Sequence, residues 1–150
     1  MKKLVIIGAS GHGKVVADIA IKNGYNKIIF LDDDESIHEC GGYPIVGKSS
    51  EGGTIDADVI IGIGNAGARK RIQESIPDEK LVTLIHPDAV VAEDVVIGKG
   101  AVVMAGAVIN PGVRIGKRCI INTCSSADHD CEVGDDVHIA VGSHLCGTVN

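Results

Sequence analysis

Between Val91 and Leu145 the chain keeps a six-residue beat: Val91, Ile97, Val103, Ile109, Ile115, Ile121, Ala127, Val133, Ile139 and Leu145. Nine of these ten are Val, Ile or Leu. Two positions ahead of each stands a smaller residue, as in Ala89, Ala101, Ala107, Cys119, Ser125 and Cys131. A slower beat of 18 is carried by Gly98, Gly116 and Gly134. Three hexads per 18 residues describe a coil of three short strands and three tight corners, the repeat of a parallel β-helix. The aliphatic residue fills the interior, the small one sits where coils stack, and each coil buries its apolar residues against its neighbours.

Residues 1–80 follow a different grammar. Leu4–Ile7 is an unbroken apolar run, as in a strand buried on both faces. It ends in Gly8-Ala9-Ser10-Gly11-His12-Gly13, followed by a helical pattern through Val15, Val16, Ile19 and Ala20 and a stop at Asn23-Gly24. Ile28–Leu31 predicts a second strand, ending at Asp32-Asp33-Asp34, and Asp58–Ile61 a third, ending at Gly62-Ile63-Gly64-Asn65. A helix around Ala68–Ser75 follows, and the Gly- and Ser-rich stretch from Cys40 to Gly53 reads as a long connection. Strand, glycine turn and helix in repetition make a Rossmann-like parallel βαβ sheet. The expected division is a Rossmann-like domain over 1–80 and a β-helix over 81–150, with His86-Pro87 marking the entry to the coils.

Glycine turns between strand and helix let backbone N–H groups approach a phosphate. The spacing here is G-x-x-G-x-G rather than the dinucleotide fingerprint G-x-G-x-x-G, and a parallel sheet needs such turns in any case. Asp32 and Asp33 stand where this fold often contacts a ribose, and serve equally well as loop or capping acids. With the turn ending at Asn65 they make three loops at one sheet edge, a plausible ligand crevice.

A net charge of −6 argues against binding nucleic acid through a basic surface, and no Trp, one Phe and two Tyr leave little for base stacking. No apolar run approaches the length of about 18 that a transmembrane helix needs. Met1 to Gly8 is too short for a secretory leader and reads as a first strand. The five cysteines have no zinc-ligand spacing, and Cys119 and Cys131 fall on small stacking positions; reduced, structural thiols suit a cytoplasmic protein.

The corners of the coils are bland until Asp128-His129-Asp130-Cys131. A histidine mounted on a stiff corner between two acids is oriented and kept basic, as acyl-transfer bases require, although a solvated corner histidine has the same look. His138 and His144 occupy outward positions, and spacings of 9 and 6 residues put the three histidines on different corners and faces, which disfavours a shared metal. Stacking by 18 gathers Val102, Ile120 and His138 on one face. An apolar outer face predicts a covered one, so this face is expected to pack on another subunit, with His138 at the rim of an intersubunit cleft.

Taken together, the Gly-Ala-Ser-Gly-His-Gly turn, the Gly62-Ile63-Gly64-Asn65 turn, the hexapeptide repeat, and Asn122-Thr123 running on to Asp128-His129-Asp130-Cys131 resemble the bacterial sugar acyltransferases of the sialic acid O-acetyltransferase (NeuD) type. Within them the chain is most similar to the PglD-type N-acetyltransferases that act on UDP-linked amino sugars. The resemblance implies a left-handed β-helix, a homotrimer, and acetyl-CoA bound between adjacent coils, with no metal. It implies His129 as catalytic base with Asp130, often Glu in the family, beside it. His138 and the Gly147 N–H would lie against the cofactor. The nucleotide end of the sugar would sit near Ser10, Gly11, His12, Gly13, Asp32, Asp33 and Asn65.

Family members usually run on for several more coils. Here Gly147-Thr148-Val149-Asn150 ends two residues before the next expected Ile-Gly, about three and a half coils in. The expectation is a C-terminally truncated form with little turnover. The leading reading is an acetyl-CoA-dependent N-acetyltransferase of a UDP-amino sugar. Open beside it are O-acetylation of a sialic acid or related sugar, a nicotinamide-dependent oxidoreductase, and a non-catalytic nucleotide-sugar-binding protein.

Overall fold

A computed structural model describes residues 1–150 as two compact units, Met1–Val82 and Thr83–Asn150. The first is a small α/β unit. β1 (Lys3–Ile7) leads into α1 (Gly11–Lys22) and returns through β2 (Lys27–Leu31). β3 (Glu39–Cys40) and β4 (Tyr43–Pro44) precede β5 (Asp58–Ile61), and α2 (Ala66–Gln73) follows. The parallel sheet has the order β2-β1-β5, with Leu4 opposite Ile28 on one side and Asp58 on the other. Leu4 to Ile7 are buried on both faces, as the unbroken apolar run requires. Val16, Ala17, Ile19 and Ala20 form the buried stripe of α1, at the i, i+3, i+4 spacing of an amphipathic helix. Gly24, at φ +84, closes α1 with its N–H on the Ile21 carbonyl.

The stretch read as a loose connection is more ordered than its composition suggests. Gly41 and Gly42, at φ +61 and +83, turn β3 back on β4 as a two-residue hairpin. Ile45 then bridges to Phe30 of β2, and Leu81 to Val59 of β5, extending both sheet edges by one residue.

The second unit is the left-handed β-helix, with two-residue strands. Each pairs in parallel with the strand 18 residues away: Val108 with Val90 and Ser126, Arg114 with Val96 and Glu132, Ile120 with Val102 and His138. Pairing begins before His86-Pro87, because Leu84–Ile85 already stacks on Val102–Val103. The interior is a column that includes Val103, Ile109, Ile115, Ile121, Val133 and Ile139, with Ala107, Cys119, Ala127 and Cys131 at its tight places. Each large aliphatic side chain so buried stabilises the fold by roughly 1.5–3 kcal/mol. The second corner residue takes a left-handed backbone, filled by Gly100, Gly106, Gly112 and Gly142 and also by Arg118, Cys124, Asp130, Asp136 and Thr148.

One expectation is corrected. Val102 and Ile120 do point outward from the coil, yet each is only 1% exposed within a single chain. The chain's own atoms already cover them, so they offer no open face to another subunit. Outward valines that do remain exposed are Val90 and Val96, on the other two faces.

Candidate active site

The Asp128–Asp130 corner is built by stacking. Asp130 takes φ +59, a left-handed value that Asp tolerates better than most side chains. Its Oδ2 lies 2.9 Å from His129 Nδ1. With Asp130 ionised, the neutral ring places its proton on Nδ1 and presents Nε2 as a lone pair. Asp128 approaches from the other side, its Oδ1 accepting the His129 backbone N–H at 2.8 Å and the Asn110 side-chain amide at 2.8 Å. The hydrogen bond to Asp130 holds the His129 imidazole above the ordinary histidine range, with the Asp128 charge adding to it. Asp128 is held low by its bond from Asn110. His129 and Asp130 remain 58% and 67% exposed, so the ring is mounted at the surface and accessible to a substrate.

Gly147, one coil above, lies against this ring. A β-carbon there would fall 2.5 Å from His129 Nε2 and 2.7 Å from Cε1. The Thr148 N–H donates to the His129 carbonyl at 2.9 Å, tying the two corners together. His129, Asp130 and Gly147 are therefore one cluster. His138 is not part of it within a single chain: it sits on the third face of the prism, beyond the Glu132–Val133 strand. Its Nε2 is 2.9 Å from Asn122 Nδ2, and Asn122 Oδ1 accepts from the Thr123 N–H, so the amide donates and Nε2 accepts. His144 pairs separately, its Nδ1 2.8 Å from Ser126 Oγ. No group of His, Cys, Asp and Glu is arranged to hold a metal ion.

In the α/β unit the three loops end at one edge of the sheet. Ser10 is the N-cap of α1; its Oγ accepts from the Gly13 N–H and donates to the Gly62 carbonyl at 3.2 Å, joining the first and third loops. Several glycines are explained by packing. A β-carbon on Gly13 would meet the Gly8 carbonyl oxygen at 2.3 Å, and one on Gly62 would meet Gly13 Cα at 3.1 Å. Gly11 differs, with nothing within 4 Å of such an atom. His12 is half-buried on the first turn of α1. Asp32 is tied to the first loop, its Oδ2 accepting the Ala9 N–H at 2.7 Å and its Oδ1 that of Asp34. Asp33 accepts from the Ser49 N–H and hydroxyl, which hold its carboxyl low. Asn65 caps α2 through the Ala68 N–H. Asp32, Asp33 and Asn65 thus all have structural duties at this edge.

Three contributors escape the sequence reading. Asn110 and Gly112 lie under the histidine corner. Arg69, 1% exposed, donates to the carbonyls of Ile63 and Gly64 and so braces the third loop. The 18-residue offset from Asp128 to Asn110 was a usable signal; for Arg69 there was none, because its partners are backbone atoms.

A family model, the PglD N-terminal domain, matches residues 3–76, and the bacterial transferase hexapeptide model (six repeats) matches 95–126. The chain is 36% identical over 101 residues to a UDP-N-acetylbacillosamine N-acetyltransferase of Bacillus subtilis; the match spans 62% of this chain and 47% of that relative's length. It is similar to the acetyltransferase domain of PglB from Neisseria gonorrhoeae, with a TM-score of 0.90 and 39% identity over 98% of this chain and 75% of that one. The same gonococcal domain is known in complex with acetyl coenzyme A. A mutant of perosamine N-acetyltransferase from Caulobacter crescentus, in complex with CoA and GDP-perosamine, matches with a TM-score of 0.91 and 33% identity over 98% of this chain and 72% of that one. A glycine-turn α/β unit joined to a hexapeptide helix, with that degree of likeness, leads to one conclusion: the chain belongs to the PglD-type family of bacterial hexapeptide-repeat sugar acetyltransferases.

Proposed function

We propose that the protein transfers an acetyl group from acetyl-CoA to the amine of a nucleotide-linked amino sugar, a UDP-sugar in the first instance. The observation that carries this reading is the His129–Asp130 pair, with Nε2 turned toward Gly147. The names of the relatives support it: one is a UDP-N-acetylbacillosamine N-acetyltransferase, and a second is known with CoA and GDP-perosamine.

The sugar amine, in its neutral form, attacks the thioester carbonyl carbon. The C–N bond forms as the C–S bond breaks, and the sulfur leaves as CoA thiol. The proton lost by nitrogen passes to His129 Nε2 and from there to the departing sulfur. Asp130 keeps the ring in the right tautomer and stabilises the imidazolium formed on the way. Charge developing on the carbonyl oxygen needs fixed donors, for which the Gly147 N–H is placed one coil on; His138, on the coil's third face, would serve this site only across the subunit boundary of a trimer. Orientation of two bound substrates suffices for direct attack, so no acyl-enzyme is invoked.

The absence of a side chain at Gly147 lets the His129 ring pack directly on that corner, and the thioester is expected on the exposed side of the ring. In the α/β unit, Gly11 leaves open space at the first turn of α1, beside Ser10, His12 and Gly13, where the nucleotide end of the substrate is placed. Assembly as a homotrimer in the cytoplasm completes the proposal; no helix is long and apolar enough to cross a membrane. The test is acetyl transfer itself: thiol release from acetyl-CoA with a UDP-linked amino sugar, the same sugar blocked at nitrogen, and a sialic acid. Release with the free amine alone supports N-acetylation, whereas release with the sialic acid alone would replace it by O-acetylation.

A further inference from the structure

The corner one coil below the histidine has the sequence Asn110-Pro111-Gly112 and stands 18 residues before Asp128-His129-Asp130. Each of its three residues touches the corner above. Asn110 Nδ2 donates to Asp128 Oδ1 at 2.8 Å. The Pro111 carbonyl accepts the Asp130 N–H at 3.1 Å. Gly112 lies under the Asp130 carboxylate so closely that a β-carbon there would fall 2.3 Å from Oδ1. Gly112 is itself held from beneath, its N–H donating to Asp94 Oδ2 at 2.9 Å.

At Gly106, a left-handed corner with a coil above it, an added β-carbon would meet the Cys124 sulfur at 2.9 Å, which is no part of a proton relay. At Gly142, in the uppermost coil, it would meet nothing within 4 Å. Asp130 can lay its carboxylate back over the lower corner and still reach His129 Nδ1 only because position 112 has no side chain.

We infer that Asn110 and Gly112 are positioning residues for the reaction, a cradle that seats Asp128 and Asp130 and through them sets the tautomer and basicity of His129. This rests on the reading of His129 as the base, but the cradle can be tested without turnover. The charged groups on this edge are Asp128 and Asp130 beside the ring and Glu93 and Asp94 two coils below, with the paired Arg114 and Glu132 on one adjoining face and the titratable His144 on the other. The corner above, Cys146-Gly147-Thr148, bears no formal charge. Arg114 is the cation among them, and the two carboxylates bonded to the ring and to its backbone outweigh it.

The experiment is an NMR titration of the His129 ring in the full chain, for wild type, Gly112→Ala, Asn110→Ala, Asp130→Asn and Gly142→Ala. Gly112→Ala forces Asp130 Oδ1 aside, so the ring should titrate at lower pH than in wild type, in the direction of Asp130→Asn. Gly142→Ala carries the same left-handed backbone penalty without the clash, and its His129 should titrate as in wild type. Asn110→Ala releases Asp128, so the Asp128 carboxyl should titrate higher and His129 slightly lower. Because Asn110 has an ordinary backbone, this variant keeps the question open to measurement if Gly112→Ala folds poorly. An unchanged His129 titration in both Gly112→Ala and Asn110→Ala overturns the cradle, whether or not Asp130→Asn moves it. A downward shift in the cradle variants of a protein that transfers no acetyl group would leave the cradle standing and remove the proposed function. In an active enzyme, the same variants should lower the midpoint of the kcat/KM–pH profile and leave acetyl-CoA affinity unchanged.

Discussion

Gly147→Ala separates the geometry of the base from its chemistry. The substitution keeps the backbone N–H at 147, so any donor function of that group survives. The backbone there is not in the left-handed region, so alanine introduces no conformational strain of its own. What it adds is a methyl carbon 2.5 Å from His129 Nε2, about 1 Å inside ordinary van der Waals contact, and the nearest atoms are the edge of the ring that accepts the proton. The ring is more than half exposed and can swing outward, so thermal stability should change by well under 1 kcal/mol. Swinging outward by about 1 Å breaks the alignment of Nε2 with the attacking amine, and a displacement of that size costs on the order of 10²-fold in rate. The assay is the initial rate of thiol release at saturating acetyl-CoA and UDP-amino sugar. Gly67→Ala is the control, since a β-carbon there, inside α2, makes only an ordinary contact with Asn65 Oδ1 at 3.5 Å. A Gly147→Ala enzyme within about threefold of wild type, or a Gly67→Ala enzyme equally impaired, would refute the reasoning that ring placement on Gly147 limits catalysis.

His129→Ala should lower kcat by about 10²–10⁴-fold with acetyl-CoA affinity nearly unchanged, as measured by steady-state kinetics and calorimetry. Because the bond to Asp130 raises the His129 pKa, the active neutral ring accumulates only as pH climbs above the ordinary histidine value of about 6.5; kcat/KM should rise through that range, and Asp130→Asn should move the midpoint down. The same linkage makes the contribution of the pair to folding present below that ordinary value and lost as pH rises through the folded one. In the α/β unit, Gly13→Ala should destabilise by roughly 1–3 kcal/mol because its methyl meets a backbone oxygen, whereas Gly11→Ala should leave the melting temperature alone and weaken uridine-nucleotide binding in calorimetry. Ile120→Asp should unfold the chain rather than dissociate an oligomer, by about 3 kcal/mol or more for an unpaired buried charge, seen as a lower urea midpoint at every protein concentration.

The periodicity alone specified the β-helix, because parallel coils in register demand the same residue type at the same offset, and a beat of 18 leaves one pairing partner for each strand. The strands of the α/β sheet were equally legible, since a strand buried on both faces has to be an unbroken apolar run. So was the pairing of His129 with Asp128 and Asp130, where the partners are neighbours in sequence. What the tertiary structure decided was everything that depends on an absent atom or a distant one. That Gly112 lies under the Asp130 carboxylate and that the His129 ring packs on Gly147 follow from side chains one coil away in each case. That Asp32 serves the Ala9 N–H follows from two loops meeting at one sheet edge. That Val102 and Ile120 are covered could not be read from their outward position, since periodicity tells which way a side chain points but not what lies on the other side of it.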